Sequence, residues 1–155
     1  MKKYILFLGL IIGVSFHCSA QKINTVPAKN IRQLPNGWHK FLSAGATFDV
    51  EVLNGSLLKG NIIWFDGSTY SGGFHNNTLT GKGTYTWTNG DRYEGSFKGN
   101  KRQGKGTMYK KDGSKHQGKW KNNKKHGKGK AYDSSGKLIK QGNWEDGVFI
   151  EKSEK

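Results

Sequence analysis

The tetrapeptide Gly81-Lys82-Gly83-Thr84 has the residue types of a phosphate-binding loop, so nucleotide binding is the first chemistry to consider. In such a loop, glycine amides surround the phosphates, a lysine contacts them and a neighbouring hydroxyl binds Mg²⁺. That chemistry requires the lysine and the hydroxyl residue to be adjacent at the start of a helix. Here Gly83 separates Lys82 from Thr84, and the alternating run that follows is typical of a strand. The tetrapeptide therefore does not predict a nucleotide site.

The Gly-Lys-Gly motif instead belongs to a repeat, because it returns at 104–106 and 127–129, an interval of 23 residues each time. Structural units that stack recur at a fixed interval, whereas catalytic loops do not. The glycines that follow this interval are Gly81, Gly104 and Gly127; Gly60, Gly83, Gly106 and Gly129; Gly67, Gly90, Gly113 and Gly136; and Gly72, Gly95 and Gly118, followed by Gly142 with one extra residue. Aromatic positions keep the same register at Phe74, Phe97, Trp120 and Trp144, and at Tyr70 and Tyr93, with His116 next in that series.

Each unit is predicted to form a β-hairpin. Residues 84–87 and 92–97 alternate between polar and aromatic residues, and Asn89-Gly90 between them is a turn signal. Residues opposite one another in an antiparallel pair share a face, so the loop length decides which side chains meet. A three-residue loop, 88–90, gathers the aromatic side chains on one face, whereas a two-residue loop divides them between the faces. We therefore expect the three-residue loop, with Gly90 at a positive φ that glycine adopts at little cost.

This register places glycines opposite one another, with Gly83 facing Gly95 and Tyr85 facing Tyr93. The same register in the flanking units sets Gly60 opposite Gly72 and Gly106 opposite Gly118. We expect these glycines to make room for aromatic rings from the neighbouring hairpin. An isolated hairpin is marginal in water, so the units must stack and cover one another's rings.

The repeat resembles the MORN repeat (membrane occupation and recognition nexus), with a Tyr-x-Gly-x-Trp/Phe segment followed by Gly-x-Gly and a turn glycine. The segments that carry the resemblance are Tyr70-Ser71-Gly72-Gly73-Phe74, Tyr93-Glu94-Gly95-Ser96-Phe97, His116-Gln117-Gly118-Lys119-Trp120 and Gln141-Gly142-Asn143-Trp144. The resemblance covers about residues 58–145 and implies an all-β fold, an elongated, twisted, single-layer antiparallel sheet of stacked hairpins. The departures are His116 in a tyrosine position, and Ile139 with an inserted residue in the last unit.

These patterns divide the chain into four segments. Residues 1–20 are predicted to be a signal peptide, and residues 21–46 a leader and N-terminal cap. Residues 47–145 form the MORN-like domain of about four units, preceded by a degenerate unit at 48–52. Residues 146–155 are a C-terminal cap and charged tail, in which Val148–Ile150 could add a closing strand.

The signal-peptide prediction depends on two lysines at positions 2 and 3, an apolar run at 4–16 and small residues ending at Ala20. The apolar run is shorter than the roughly 20 residues that span a bilayer as a helix. We therefore expect export with cleavage near Ala20, to the periplasm, the cell surface or the medium. An uncleaved anchor and a lipoprotein attached through Cys18 are less favoured alternatives.

The residues that could perform catalysis form no recognisable constellation. Cys18 is the only cysteine, so cleavage would leave neither a thiol nucleophile nor a disulfide. His39, His75 and His126 show no metal-ligand spacing, and His116 occupies a packing position of the repeat. We therefore predict a non-enzymatic protein with no cofactor, no metal and no small-molecule substrate.

Charge is the strongest functional signal, because the chain carries a formal net charge of +15 and concentrates it in one window. Residues 98–130 contain thirteen Lys/Arg and one acid, Asp112. The candidate binding patch is Lys98, Lys101, Arg102, Lys105, Lys115, Lys119, Lys121, Lys124, Lys125, Lys128 and Lys130. Such a cluster attracts polyanions in a salt-dependent way, and it also serves to keep a surface solvated. Tyr109 and Tyr132 lie among these lysines, where stacking on a ligand and simple cross-strand pairing are both open.

Three functions follow from these observations. The first is a binding or scaffolding surface whose lysine-rich end engages an anionic membrane surface or another polyanion. The second is a protein–protein or self-association module, which would use the apolar face or an open end of the sheet. The third and least favoured is a secreted enzyme.

Overall fold

The computed structural model describes residues 24–25 and 28–151, and these form one open sheet of twelve strands. A 3-10 helix, Ala28–Gln33, lies between the first two strands. The strands are β1 Asn24–Thr25, β2 Gly37–Ser43, β3 Ala46–Leu53, β4 Ser56–Trp64, β5 Thr69–His75, β6 Thr78–Thr86, β7 Arg92–Lys98, β8 Lys101–Tyr109, β9 Lys115–Lys121, β10 Lys124–Tyr132, β11 Leu138–Glu145 and β12 Val148–Ile150.

The strands lie in the sheet in the order in which they occur in the chain. β1 pairs with β2 in parallel, and every later pair is antiparallel. Each strand therefore contacts chiefly its two sequence neighbours, as expected of a quasi-one-dimensional repeat. The all-β, elongated single-layer fold is confirmed.

The register at the β6–β7 hairpin is the predicted one. Tyr85 pairs with Tyr93 and Gly83 pairs with Gly95. The backbone amide of Trp87 donates to the carbonyl of Asp91 at 2.9 Å, which leaves a loop of three residues. Gly90 ends that loop with φ of 87°. Since only glycine adopts this conformation cheaply, the turn glycine fixes the loop length, and the loop length fixes which face each ring occupies.

A row of glycines crosses the sheet from β4 to β11. Each glycine in the row pairs with the next, and the members are Gly60, Gly72, Gly83, Gly95, Gly106, Gly118, Gly129 and Gly142. On β3, the strand before the row begins, the equivalent position is the buried Val50, which pairs with Gly60. The degenerate first unit thus supplies a valine where the later units supply glycine.

Rings lie directly on this row, and Tyr70 is the first of them. A Cβ atom built on Gly83 would stand 2.6 Å from Oη of Tyr70, closer than real side chains approach one another. Tyr70 itself is 1 % exposed, and its hydroxyl donates to the carbonyl of Gly73 at 2.9 Å. Glycine at these positions is therefore a steric requirement of the buried ring.

Tyr93 repeats the arrangement one unit later, over Gly95 and Gly106, and its hydroxyl donates to the carbonyl of Ser96 at 3.2 Å. The expectation that the ring comes from the neighbouring hairpin is correct for Gly83 and Gly106. It is wrong for Gly72 and Gly95, whose ring stands two residues earlier on the same strand. A tyrosine lies over its own strand as well as the next because side chains two apart project from the same face.

Successive units are joined by edge-to-face contacts between these rings and the following Phe or Trp. Tyr70 meets Phe97 with ring centroids 5.4 Å apart and an interplanar angle of 88°. Tyr93 meets Trp120 at 5.3 Å and 81°, and the indole of Trp120 also donates to the carbonyl of Gly106 at 3.1 Å. Each such aromatic pair contributes roughly 0.5–1.5 kcal/mol beyond its buried area. The core is therefore a row of contacting aromatic rings on one face of the sheet.

The first glycine of each Gly-x-Gly motif has a different role from the second. Gly81, Gly104 and Gly127 have φ values of 69°, 87° and 62°. At all three places the pairing with the preceding strand shifts register, as in a β-bulge. The motif therefore combines a bulge glycine with a ring-covered glycine, and the residue between them projects to the face opposite the rings.

Asparagine turns link neighbouring hairpins at the other ends of the strands. Asn100 lies at the β7–β8 turn, where its side-chain Oδ1 accepts from the backbone amide of Leu79 at 2.8 Å. Its backbone amide donates to the carbonyl of Leu79 at 3.2 Å. Asn123 makes the same two contacts with Arg102, at 2.8 and 3.1 Å. Asn77, Asn100 and Asn123 keep the interval of 23 residues, so the sequence holds a signal for these turns beside the glycine and aromatic series.

His116 takes the tyrosine position in the third unit, as predicted for a packing residue. It is 4 % exposed and lies over Gly118 and Gly129, with Trp144 at a centroid distance of 4.6 Å. Neither imidazole nitrogen has a hydrogen-bond partner among the described residues. Burial, together with the positive charge of Lys125, lowers the pKa of His116 from 6.5 to about 4.

The two ends of the sheet differ. Residues 37–43 of the predicted cap form a complete strand against β3, and Phe41 of that strand stacks on Phe48. Val148–Ile150 forms a closing strand, and Phe149 of that strand packs on Gly142 and Trp144. The predicted signal peptide, residues 21–23 and 26–27 of the leader and residues 152–155 of the tail lie outside the described residues.

Replacing Gly83 with Ala is expected to lower the free energy of unfolding by about 2–3 kcal/mol, because the new methyl group overlaps Tyr70. Urea unfolding followed by tryptophan fluorescence measures the change. Thr84→Ala, on the opposite face, is the control and should cost less than about 1 kcal/mol. Gly83→Ala should cost clearly less when Tyr70 is already Leu. Equal stability of the two single variants would contradict the steric role of the ring.

Replacing His116 with Tyr is expected to stabilise the fold at pH 7 by about 1–2 kcal/mol, since it restores a hydroxyl donor and removes two unsatisfied nitrogens. It should also change the pH dependence. The unfolded chain binds the His116 proton first, at its ordinary pKa of 6.5, while the folded chain does so only near 4. The wild-type free energy of unfolding should therefore decrease as the pH is lowered from 6.5 to 4, by up to about 1.4 kcal/mol per pH unit.

Urea titrations at several pH values separate this effect from the aspartates. The pKa values of Asp66, Asp91, Asp112 and Asp133 are lowered from 3.8 by hydrogen bonds, so their stabilisation is lost only below that value. His116→Tyr should remove the decline between pH 6.5 and 4 and leave the loss at lower pH unchanged. An identical decline in both proteins would show that His116 is not the group that titrates.

Candidate functional site

The sheet has two unlike faces, which the register defines. We call the face that carries Tyr70, Tyr93, His116 and Trp144 the aromatic face. We call the other face the polar face. A side chain belongs to the polar face when its neighbours in the strand point to the rings. The predicted binding lysines can therefore be sorted by face from their pairing partners.

Lysines form a row on the polar face beside the glycines. Lys82, Lys105 and Lys128 are the middle residues of the three Gly-x-Gly motifs, and all three are exposed. Lys119 pairs directly with Lys105 and lies on β9, the strand between those that carry Lys105 and Lys128. Strands lie about 4.8 Å apart, so cations on alternate strands follow one another at roughly 10 Å. Lys82 was not among the predicted binding residues, although it shares the interval of 23 residues.

A shallow cleft of about 410 Å³ runs along this row. Its floor includes Gly95, Gly106 and Gly118, and its walls carry Lys105 and Lys119 among others. The backbone of these glycines forms the floor, and the lysines of the polar face stand above it. The arrangement is a basic trough that runs across the strands, along the length of the sheet.

The charge of this trough is poorly compensated. Three ion pairs occur among the described residues, Lys59 with Glu51, Arg92 with Glu94, and Lys110 with Asp91. None of them includes a lysine of the trough. Glu94, the one acid that lines it, is already paired with Arg92. Unpaired cations in a row create the positive potential that attracts polyanions.

The other predicted polar-face lysines lie around the trough. Lys130 is exposed next to it, and Lys115 places its Nζ 4.7 Å from the ring centroid of Tyr132. Lys115 and Lys119 lie opposite the rings, because the residues that follow them, His116 and Trp120, are buried on the aromatic face. Four further lysines flank the two asparagine turns at one edge of the sheet: Lys98, Lys101, Lys121 and Lys124.

Arg102 and Lys125 lie apart from these lysines, on the aromatic face, because Arg102 pairs with Phe97 and Lys125 pairs with Trp120. The Arg102 guanidinium is 4.8 Å from the ring centroid of Trp120, and it donates to the carbonyl of Asn123 at 2.7 Å. Burial lowers the pKa values of both Arg102 and Lys125. The single patch inferred from sequence is thus divided between the two faces, because successive residues of a strand point to opposite sides.

Two of the histidines and the turn aspartates are used in local structure. His39 Nε2 lies 2.8 Å from the carbonyl of Pro35, and His116 packs between tryptophans. Asp66 accepts from the amide and hydroxyl of Ser68 at 2.8 and 2.7 Å, as expected of an Asx turn. No group of three or more His, Cys, Asp or Glu side chains suited to a metal occurs among the residues that the structure describes.

Within residues 24–25 and 28–151, no helix combines the length and the apolar character needed to cross a membrane. No curated protein matches the sequence. The family model of the MORN repeat matches the chain three times, at residues 70–92, 93–115 and 116–137. Each match begins at a ring that lies on the glycine row, Tyr70, Tyr93 or His116, and the second and third begin 23 residues after the one before. The three matches are contiguous, so residues 70–137, the part of the chain that carries the basic trough, are similar to three tandem MORN repeats.

Proposed function

We propose that this protein is a non-enzymatic binding or scaffolding module whose basic trough engages an anionic partner, such as membrane headgroups or another polyanion. The observation that carries the proposal is the row of polar-face lysines that join no ion pair within the described residues, Lys82, Lys105, Lys119 and Lys128. MORN repeats are commonly binding or scaffolding modules, which agrees with such a role.

The magnitude of the attraction is modest for each lysine and useful in sum. One lysine near an anionic membrane surface contributes about 1 kcal/mol at physiological ionic strength. Four contribute about 4 kcal/mol, which corresponds to a dissociation constant near 1 mM for one copy. The flanking lysines at the asparagine turns would increase this value. Binding of this kind is steeply salt-dependent and tolerant of the exact chemistry of the anion.

The non-enzymatic part of the proposal draws support from the same geometry. The histidine that is most buried, His116, has a structural place over the glycine row, and the turn aspartates serve their own loops. Export after cleavage near Ala20 is proposed from the sequence of the N-terminal segment. An exported surface of this charge would meet lipid headgroups or acidic glycans outside the cytoplasm.

A second candidate function is protein–protein docking through the first strands. Trp38, Ile63 and Phe65 are 58, 53 and 74 % exposed and offer apolar surface to a partner. They lie near the N-terminal end of the sheet, where Trp38 and Lys82, the first member of the lysine row, line one shallow pocket. A partner held there would bind independently of salt.

Co-sedimentation of the protein with anionic and neutral vesicles, and with heparin and a polynucleotide, tests the trough across a salt series. We expect binding to the anionic partners at low salt. Replacing Lys105, Lys119 and Lys128 with Gln should weaken binding at least tenfold and reduce the slope of log K against log salt by about 2–3. The matched control replaces Lys40, Lys111 and Lys137, with the same loss of charge, and should have a smaller effect.

Two outcomes would reject the trough. One is the absence of binding to any polyanion at low salt, and the other is an equal loss of binding in the test and control variants. Association that survives high salt and the trough substitutions, but is lost when Trp38 and Phe65 are replaced by Ser, would support the docking function instead.

A further inference from the structure

The aromatic face changes composition towards its C-terminal end. One series of positions on this face, at intervals of 23 residues, reads Ile62, Tyr85, Met108 and Ala131. A second series reads Trp64, Trp87, Lys110 and Asp133. Bulky side chains in the early repeats thus give way to small or charged ones in the later repeats.

In the early repeats three of these positions, Trp64, Tyr85 and Trp87, hold rings in mutual contact. Tyr85 lies 5.4 Å from Trp64 and 4.7 Å from Trp87, measured between ring centroids. In the later repeats the corresponding space is a cleft of about 520 Å³. Its apolar lining includes Met108, Trp120 and Ala131. The cleft exists because a methyl group at Ala131 occupies the place that a phenol ring takes at Tyr85.

The rim of the cleft is cationic. Arg102, Lys110 and Lys125 line it, and no carboxylate is among the described residues that do so. Asp91 pairs with Lys110, and Lys125 belongs to none of the ion pairs found among the described residues. Burial and the neighbouring charge of Lys110 lower the pKa of Lys125, as expected where cations converge without a counter-charge.

The site also contains the buried His116, which is 4 % exposed and whose nitrogens have no partner within the described part of the chain. A neutral imidazole beside Lys125 adds no negative charge. A buried polar group without a partner and a half-buried cation without a counter-charge each raise the free energy of the unliganded protein. They are common features of places that receive a polar ligand.

We propose that this cleft on the aromatic face binds an amphiphilic anion, a small molecule with an apolar body and a carboxylate or phosphate head. The body would lie on Met108, Ala131 and Trp120, and the head would meet Arg102 and Lys125. An apolar body is required because Met108 and Ala131 have no hydrogen-bonding group and the indole N–H of Trp120 is already bonded to Gly106. A negative head is required because the charged side chains that line the cleft are all cations.

This site is distinct from the basic trough, which lies on the other side of the sheet. The trough is open and its lysines are exposed, so it discriminates weakly among anions. In the cleft, Arg102 and Lys125 are half-buried beside the apolar side chains, so it should select for the apolar body as well as for the charge.

Titration with octanoate and octyl phosphate, below their micelle concentrations, tests the proposal through tryptophan fluorescence and backbone amide NMR shifts. Octanol and octylamine are the neutral and cationic controls. Both anions should bind saturably to the protein, at least tenfold more tightly than octanol, and octylamine should not bind. Binding of octyl phosphate alone would identify a phosphate ester as the natural head group, and binding of octanoate alone a carboxylate.

Two substitutions locate the site. Lys125→Gln should weaken octanoate binding about tenfold, whereas Lys128→Gln, with the same charge change on the polar face, should change it less than twofold. Ala131→Tyr supplies the ring that Tyr85 provides at the equivalent position. It should abolish binding while the melting temperature stays the same or rises. If Ala131→Tyr fails to fold, Ala131→Met, which introduces the residue found at position 108, should also weaken binding.

The proposal is overturned if neither anion binds at millimolar concentration, or if octanol binds as tightly as octanoate. It is also overturned if Lys125→Gln and Lys128→Gln have equal effects, or if a folded variant with a larger residue at 131 binds like the wild type.

Discussion

The contact between one aromatic ring and two paired glycines is the interaction on which the rest of this structure depends. A tyrosine can lie flat on the sheet at Tyr70 or Tyr93 only because the residues beneath it have no Cβ atom. The ring then covers two strands at once and presents its edge to the Phe or Trp of the next repeat. A single-layer sheet, which has no second layer to bury a core, obtains one from side chains that lie along its own surface.

The same motif determines what the opposite face can do. In each Gly-x-Gly, the first glycine forms a bulge and the second lies under a ring, so the residue between them must point away from the core. In three consecutive motifs that residue is lysine. The interval that builds the core therefore also spaces the cations of the trough. Where Met108 and Ala131 replace the ring of Tyr85, the aromatic face opens into a cleft.

Much of the fold follows from the sequence because parity leaves few choices. Collecting Tyr85 and Tyr93 on one face requires a three-residue loop, and that loop then dictates the pairing of Gly83 with Gly95. The same parity separates Arg102 and Lys125 from the exposed lysines, a division between faces that chain position alone does not reveal. Cleft formation was not predictable from a motif, since it depends on how much volume each residue of a series leaves unfilled. The asparagine turns could be predicted from the sequence, because Asn77, Asn100 and Asn123 recur every 23 residues.

Proton NMR of the glycine Hα atoms tests the central contact most directly. A proton under the face of an aromatic ring resonates upfield, so Hα signals of Gly72, Gly83, Gly95 and Gly106 should lie upfield of those of turn glycines such as Gly99 and Gly136. In Tyr70→Leu the signals of Gly72 and Gly83 should return to ordinary positions while those of Gly95 and Gly106 remain shifted. Ordinary Hα shifts for all four glycines in the wild-type protein would contradict the stacking of rings on the glycine row.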